Sequence, residues 1–197
     1  CLLTSGKRHK MNITYQKWWS SHLAQEMEFK VYGGSGKPIL VFPTQAGRFY
    51  DYEDFGMVEA CKPFIEDGRI TLFTVDSIDH QSWANWIALP PERAKRHEDY
   101  DKYIVREVVP FINAMCGEQK IITTGCSMGG YHSANFFFRH PEQFDGVICL
   151  SGVLQLKMFV GEYMDDLVYF NSPLYFMRNM TDSHLLDMFR KSRIMIC

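Results

Sequence analysis

The chain has 197 residues, which suffice for one sizeable domain but not comfortably for two. Hydrophobic residues make up 46% and charged residues 22%, and 21 Lys and Arg against 23 Asp and Glu give a formal net charge of -2. Nucleic-acid-binding domains usually carry a basic excess or a basic stripe, and neither is present, so the composition gives no support to a nucleic-acid partner.

The cysteines and the first residues bear on the compartment. The six cysteines form no C-x-x-C pair and no Cys/His metal pattern, which predicts free thiols in a reducing compartment and no metal site. Cys126 and Cys149 lie in apolar runs and are predicted to be buried. No secretory signal or membrane-length apolar run is visible, which favours a cytoplasmic protein without a membrane partner. Residues 1–10 are predicted to be a leader or non-native segment, and residues 11–197 a single domain.

The predicted elements alternate between strands and helices along the chain. Short runs rich in Val, Ile, Phe and Thr predict strands at residues 28–32, 39–43, 70–76, 120–125, 146–151 and 193–197. Helical spacing predicts helices over residues 99–115 and 131–140. Most strands from Ile39 onward are continuously apolar, as in parallel sheets covered on both faces. The first two strands, separated by "GGSGK", predict an antiparallel hairpin. We therefore expect an α/β fold with a mostly parallel, doubly wound sheet behind an antiparallel N-terminal hairpin.

A five-residue motif follows the fourth predicted strand and precedes a predicted helix. The segment "GCSMG" at residues 125–129 matches G-x-S-x-G, in which the serine lies on a tight strand-to-helix turn and projects from the edge of the sheet. Small neighbours let the strand and the helix approach closely. The motif in this context predicts that Ser127 is a nucleophile, and that the backbone N–H of Met128 at the helix start stabilises an oxyanion.

A second oxyanion donor normally comes from the loop after an earlier strand. The predicted strand 39–43 is followed by a small-residue turn, "TQAG", at residues 44–47. The backbone N–H of Gln45 is the predicted donor, and Thr44 or Ala46 is equally allowed by a slip of one residue.

Four segments of the chain resemble the α/β-hydrolase putative esterase family, which includes esterase D-like enzymes, feruloyl esterases and mycolyltransferases. "GCSMGGYHSANFFFRHPEQFDGVICLSG" is similar to the family's nucleophile region and "VFPTQAGRF" to its oxyanion loop. "YDKYIVREVVPFI" and "YFNSPLYFM" resemble two further segments, and the nearest match is a bacterial esterase branch. The resemblance implies an α/β-hydrolase fold and a Ser–His–Asp enzyme that acts on small-molecule carboxylic esters without a cofactor, with Ser127 as the nucleophile.

The base and the acid of a triad are not evident in this sequence. With G-x-S-x-G the expected chain order is serine, acid, histidine, and only His132, His140 and His184 follow Ser127. A structural role is favoured for each of the three. The late aspartates Asp165, Asp166, Asp182 and Asp187 all precede the strand 193–197, after which the acid is expected. The resemblance therefore implies that acid and histidine lie beyond Cys197, in a C-terminally truncated domain with an exposed sheet edge.

Three functions stay open at this point. The first is a carboxylesterase that forms an acyl-enzyme on Ser127. The second is an acyltransferase on the same scaffold, whose site accepts an alcohol and excludes water. The third is a non-catalytic, hydrolase-like binding protein, which could form a homo-oligomer by pairing its unfinished sheet edge.

Overall fold

Seven strands form one mixed sheet in the part of the chain that the structure describes, which is residues 10–197 of a computed structural model. The strands are β1 Ile13–Ser20, β2 Gln25–Tyr32, β3 Lys37–Phe42, β4 Ile70–Val75, β5 Ile121–Cys126, β6 Phe144–Leu150 and β7 Arg193–Ile196. Their order in the sheet is β1-β2-β4-β3-β5-β6-β7. The five strands from β4 to β7 in this order run parallel, whereas β1 and β2 are antiparallel to their neighbours. The predicted mostly parallel α/β sheet with an antiparallel N-terminal pair is confirmed.

The strands of the N-terminal hairpin differ from those expected. The predicted pairing of strand 28–32 with strand 39–43 is wrong, because β4 lies between β2 and β3 and pairs with both. The hairpin consists of β1 and β2 instead, in register from Ile13 opposite Tyr32 to Ser20 opposite Gln25. β4 is buried along nearly its whole length and so takes a central position. β1 alternates exposed and half-buried residues, which suits an edge strand and gives only a weak strand signal in the sequence.

The helices lie between the strands and after β6. They are α1 Asp51–Asp54, α2 Met57–Glu66, α3 Pro90–Tyr103, α4 Val109–Cys116, α5 Met128–Arg139, α6 Lys157–Val160, α7 Asp166–Phe170, α8 Pro173–Phe176 and α9 Ser183–Lys191. Short 3₁₀ turns occur at Asp79–Gln81 and Met177–Asn179, and one π turn at Ile104–Val108.

The helix predicted over residues 99–115 is longer than its sequence pattern indicated. The helical run begins at Pro90, nine residues before the predicted start, and continues through the π turn into α4. Proline is well tolerated at the first helical position because its missing N–H has no intrahelical partner there. The wider π turn lies just before Pro110, where a regular helix would lack a hydrogen bond. Pro90 thus marks the start of the helical run, and Pro110 marks its irregularity.

The two faces of the sheet carry separate apolar cores. On one face the side chains of Phe29, Leu40 and Phe73 pack against α3, α4 and α5. On the other face, the sequence neighbours of these residues, such as Val41 and Leu72, pack against α2, because successive side chains of a strand point to opposite faces. Because both faces are covered here, the central strands are apolar at nearly every position, which is the pattern that the sequence shows.

The described region also bears on the predicted domain limits and on membranes. The prediction that residues 1–10 are a leader or non-native segment concerns mainly residues 1–9, which lie outside the described residues. Between residues 10 and 197, no helix has both the length and the apolar character needed to cross a bilayer.

Candidate active site

Ser127 occupies the sharp turn between β5 and α5 at the carboxyl edge of the parallel strands. Its backbone has φ 57 and ψ -118, a conformation that a non-glycine residue adopts only when its surroundings impose it. Two backbone hydrogen bonds hold this turn, from Ser127 N–H to Leu150 O at 2.9 Å and from Tyr131 N–H to Ser127 O at 3.0 Å. The side chain is exposed. The sequence motif has therefore produced a strained turn that presents a hydroxyl to solvent.

Two glycines let α5 approach the sheet around this turn. A Cβ on Gly129 would lie 2.3 Å from Phe42 O and 2.6 Å from Pro43 O, at the end of β3. A Cβ on Gly125 would lie 2.4 Å from the carbonyl carbon of Gly129. Because all of these neighbours are backbone atoms, no side-chain movement could relieve the contacts. The start of α5 thus touches the end of β3, and the chain segment that follows β3 begins beside Ser127.

The predicted oxyanion donors lie on the two segments that meet here. Met128 is the first residue of α5, so its N–H belongs to the helix-start groups that have no intrahelical acceptor. The loop after β3 makes a turn in which Gly47 N–H donates to Thr44 O at 2.9 Å, and Ala46 in this turn has φ 59. Gln45 is exposed in the middle of the turn. The geometry is compatible with Met128 and Gln45 as donors, and both assignments stay predictions.

Asp51, at the start of α1, holds the loop after β3, the predicted oxyanion loop, in shape. Its Oδ2 accepts a hydrogen bond from the Thr44 hydroxyl at 2.9 Å, and its Oδ1 accepts one from Arg48 N–H at 3.1 Å. A Cβ on Gly47 would lie 1.8 Å from the same Oδ2, so a larger residue at that position would displace the carboxylate from the turn. The carboxylate thus fills the concave side of the turn.

A second carboxylate anchors the next residues of the loop to the sheet. Asp76, directly after β4, accepts from Arg48 Nε at 2.9 Å and from Phe49 N–H at 2.8 Å. Burial raises the pKa of this carboxyl, and the bonds to Arg48 and Phe49 oppose that effect. Sequence reasoning missed both Asp51 and Asp76 because their partners are set by how the loop folds back. The available signals were the position of Asp51 close to the predicted loop and that of Asp76 at the end of a predicted strand.

An apolar cavity of about 310 Å³ opens beside the strand-to-helix turn at Ser127. Its wall is formed chiefly by Phe42, Tyr52, Phe55, Met57, Cys126 and Leu150. Cys126 directly precedes Ser127, and Phe42 ends β3. The expectation that Cys126 is buried is wrong, since it is exposed at the end of β5, whereas Cys149 is buried as predicted. Cys126 is the last residue of β5, at the edge of the sheet. The burial of the earlier residues of this strand therefore does not extend to it.

None of the histidines within residues 10–197 is hydrogen-bonded to Ser127. His132 is buried and its Nε2 lies 2.8 Å from Asp79 Oδ1. His140 follows the last residue of α5 and its Nε2 lies 2.8 Å from Asp101 Oδ2. His184 is exposed on α9. These contacts agree with the structural roles predicted for His132 and His140.

The buried His132, on α5, belongs to a polar cluster between α5 and α3. Its ring stacks on that of His97, with 5.5 Å between centroids, and Asn135 Nδ2 lies 3.3 Å from His97 Nε2. Burial, with a further contribution from His132, lowers the pKa of His97 well below its ordinary value. A neutral His97 accepts through Nε2, and the cluster ties α5 to α3 and to the 3₁₀ turn after β4.

The late aspartates serve local structure where the contacts identify a role. Asp182 caps α9 by accepting from Leu185 N–H at 3.0 Å, as its position predicted. Asp165 caps α7 in the same way, accepting from Val168 N–H at 2.8 Å. Asp187 pairs with Arg190 on the exposed face of α9. Across the described residues, no group of three or more His, Cys, Asp or Glu side chains could hold a metal ion.

A comparison with protein families identifies the family of this chain. The family described as "Putative esterase" matches residues 20–185, which run from the last residue of β1 through the loop after β3 and the turn at Ser127 to the first three residues of α9. The chain belongs to the putative esterase family. The match confirms the resemblance seen in the sequence. A comparison with curated proteins finds no match.

Solved structures with this fold include several hydrolases of low sequence identity. An S-formylglutathione hydrolase from Agrobacterium tumefaciens is 13% identical with a TM-score of 0.68, over 95% of this chain and 88% of that one. The fluorophosphonate-binding serine hydrolase F of Staphylococcus aureus is 13% identical with a TM-score of 0.67, over 95% and 79%. A ferulic acid esterase from Anaeromyces mucronatus is 9% identical with a TM-score of 0.60, over 98% and 85%. At these identities the likeness confirms the α/β-hydrolase fold expected for the family.

Proposed function

We propose that this member of the putative esterase family is a serine hydrolase of the carboxylesterase type, which cleaves small-molecule esters through an acyl-enzyme on Ser127. The observation that carries the proposal is the backbone of Ser127, with φ 57 on an exposed strand-to-helix turn beside an apolar cavity. A strained conformation has an energetic cost of about 1–3 kcal/mol and persists at sites where it serves a mechanism.

The proposed reaction is an acyl transfer in two steps. Ser127 Oγ attacks the ester carbonyl, forms a bond to its carbon and gives its proton to a base. The N–H groups of Met128 and Gln45 stabilise the negative charge on the carbonyl oxygen until the ester C–O bond breaks, and the alcohol leaves with the proton that the base returns to it. Water then attacks the acyl-enzyme, and the carboxylic acid is released. The start of α5 is in backbone contact with the end of β3, and the carboxylates of Asp51 and Asp76 hold the loop that carries Gln45. The donors therefore need little reorganisation when the charge develops.

The base in this proposal is not one of the histidines within residues 10–197. Those nearest in chain order, His132 and His140, are already paired with Asp79 and Asp101. The family resemblance implies that acid and histidine follow residues 193–197, at the end of β7, and this assignment stays a prediction. Loss of base and acid from a serine hydrolase typically lowers the rate by several orders of magnitude, so the assignment matters for activity.

An active-site probe tests the proposed nucleophile. The intact protein is treated with a fluorophosphonate, and the labelled peptide is identified by mass spectrometry. We expect labelling at Ser127, together with hydrolysis of 4-nitrophenyl acetate, and expect both to be lost in Ser127→Ala. Ser183→Ala, which removes an exposed serine on α9, is the matched control and should retain both activities.

The same assay separates the three candidate functions. A folded protein with neither labelling nor hydrolysis would contradict an enzymatic role and favour a binding protein. Labelling with transfer to an added alcohol, and little release of free acid, would favour an acyltransferase. The predicted ester substrate and the alternative of a homo-oligomer stay predictions, and size-exclusion chromatography with light scattering tests the second.

A further inference from the structure

The apolar cavity beside Ser127 lies between the two segments proposed to hold the ester carbonyl. Cys126, which precedes Ser127, and Thr44, which precedes Gln45, both line it. Tyr52, Phe55 and Met57 close it on the side of α1 and α2. A group bonded to a carbonyl carbon on Ser127 therefore has this cavity next to it.

We propose that this cavity binds the acyl group of the ester and selects apolar acyl groups of about six to nine carbon atoms, a proposal that rests on the proposed function. In both steps of the reaction the acyl group stays attached to the carbon that Ser127 attacks, whereas the alcohol must depart to solvent. A cavity that adjoins the nucleophile and the oxyanion loop together suits the group that stays.

The size of the cavity indicates which acyl groups it accommodates best. A volume of about 310 Å³ is at the lower end of the roughly 300–1,000 Å³ found for ligand pockets. A heavy atom with its hydrogens occupies about the volume of one water molecule in the liquid, roughly 30 Å³, so the cavity holds on the order of ten such atoms. Short linear, branched or single-ring aromatic acyl groups match this size, and the end of a long fatty acyl chain would extend into solvent.

The charges around the cavity favour a neutral acyl group. No Lys, Arg or His of the described residues is among its lining side chains. Its one ionisable carboxylate, Asp51, already accepts hydrogen bonds through both oxygens, from the Thr44 hydroxyl and from Arg48 N–H. An acyl group with its own carboxylate or phosphate would find no cationic partner here and would lose hydration without compensation.

Two substitutions alter the wall in opposite directions. Met57, half-buried at the start of α2, can be enlarged in Met57→Trp so that the indole occupies part of the cavity. Phe55, with 71% of its surface exposed, forms the outer wall, and Phe55→Ala removes it. Phe64→Ala is the matched control, since Phe64 is an exposed phenylalanine on α2 that contacts Arg69 and does not line the cavity.

The experiment compares two series of esters on the intact protein. With 4-nitrophenol as the constant leaving group, acyl chains from acetyl to decanoyl should give kcat/KM values that rise about fourfold per methylene, equivalent to about 0.8 kcal/mol, and fall beyond about eight carbons. With acetyl as the constant acyl group, lengthening the alkyl alcohol should change kcat/KM much less. Met57→Trp should lower the hexanoate-to-acetate ratio at least tenfold, Phe55→Ala should lower it several-fold, and Phe64→Ala should leave it unchanged.

The outcomes distinguish this inference from the proposed function. If acetate is cleaved but the ratio does not respond to Met57→Trp in a folded protein, or if preference follows the alcohol instead, the acyl assignment is wrong while the esterase remains. If no ester is cleaved and Ser127 is not labelled by a fluorophosphonate, the proposed function itself fails, and this inference with it.

Discussion

Replacing Gly129 with alanine tests whether the close approach of α5 to β3 holds the candidate site together. The added methyl group would lie 2.3 Å from Phe42 O and 2.6 Å from Pro43 O. Both are backbone oxygens at the end of a central strand, so either the start of α5 or the end of β3 has to move. Such a movement would also separate the Met128 N–H from the loop that carries Gln45.

Two opposing effects determine the size of the change. Alanine is intrinsically better than glycine inside a helix by about 1 kcal/mol. Overpacking of a well-packed interior typically costs about 1–3 kcal/mol, and rigid backbone neighbours place this case near the upper end. We therefore expect Gly129→Ala to lose about 2 kcal/mol of unfolding free energy. For a domain of this size, about 2–4 °C of Tm corresponds to each kcal/mol, so Tm should fall by about 4–8 °C.

Thermal unfolding followed by circular dichroism measures this effect, with fluorophosphonate labelling as a second readout that should also fall. Gly34→Ala is the matched control, because Gly34 is exposed and a Cβ there meets nothing within 4 Å. It should keep or slightly raise Tm, since alanine restricts the unfolded chain. A Gly129→Ala protein at least as stable as wild type would refute the proposed rigidity of this contact.

Three further substitutions test other features of the structure. Asp51→Asn leaves the loop after β3 with one acceptor oxygen fewer. We expect the rate of fluorophosphonate labelling to fall about tenfold, which corresponds to the roughly 1.5 kcal/mol of one charge-assisted hydrogen bond. An unchanged rate would contradict the positioning role of Asp51. Burial holds the pKa of the His97 side chain below its value in the unfolded chain, so unfolding takes up a proton below about pH 6.5. As the pH is lowered below that value, the unfolding free energy should therefore decrease by up to about 1.4 kcal/mol per pH unit. Urea unfolding at several pH values should show a shallower dependence in His97→Gln and no change of slope in His184→Gln, and equal slopes in all three proteins would argue against this account. Asp182→Ala removes the N-cap of α9 and should cost about 1 kcal/mol in the same assay, whereas the exposed Asp187→Ala should cost less; equal losses would argue against the cap.

The features predicted correctly depend on short stretches of chain. The tight strand-to-helix turn at residues 125–129 follows from the sequence because glycines are needed within two residues of Ser127 whatever surrounds it. The central strands are apolar on both faces, so their runs are visible without knowledge of their neighbours. Asp182 as a helix cap depends on a donor only three residues away. Each of these signals lies within one local segment of the backbone.

The pairing of distant segments does not follow from the sequence. The order of strands along the chain predicts that β2 pairs with β3, yet β4 lies between these two strands, because sheet order depends on which strand can be buried on both sides. The burial predicted for Cys126 was wrong because its apolar run ends at the edge of the sheet. The partners of His132 and His140 lie 53 and 39 residues away, and no local pattern connects them.

The sequence by itself determined the class of the fold and the residue that stands at its strained turn. Both depend on local constraints, namely the spacing of apolar residues and the small neighbours that a tight strand-to-helix turn requires. Only the tertiary structure decided which carboxylates hold the oxyanion loop, which histidines are already paired, and which side chains enclose the cavity beside Ser127. Those relations arise where β3, β5 and β6 end side by side, and residues far apart in the chain meet there only once the strands have taken their order in the sheet.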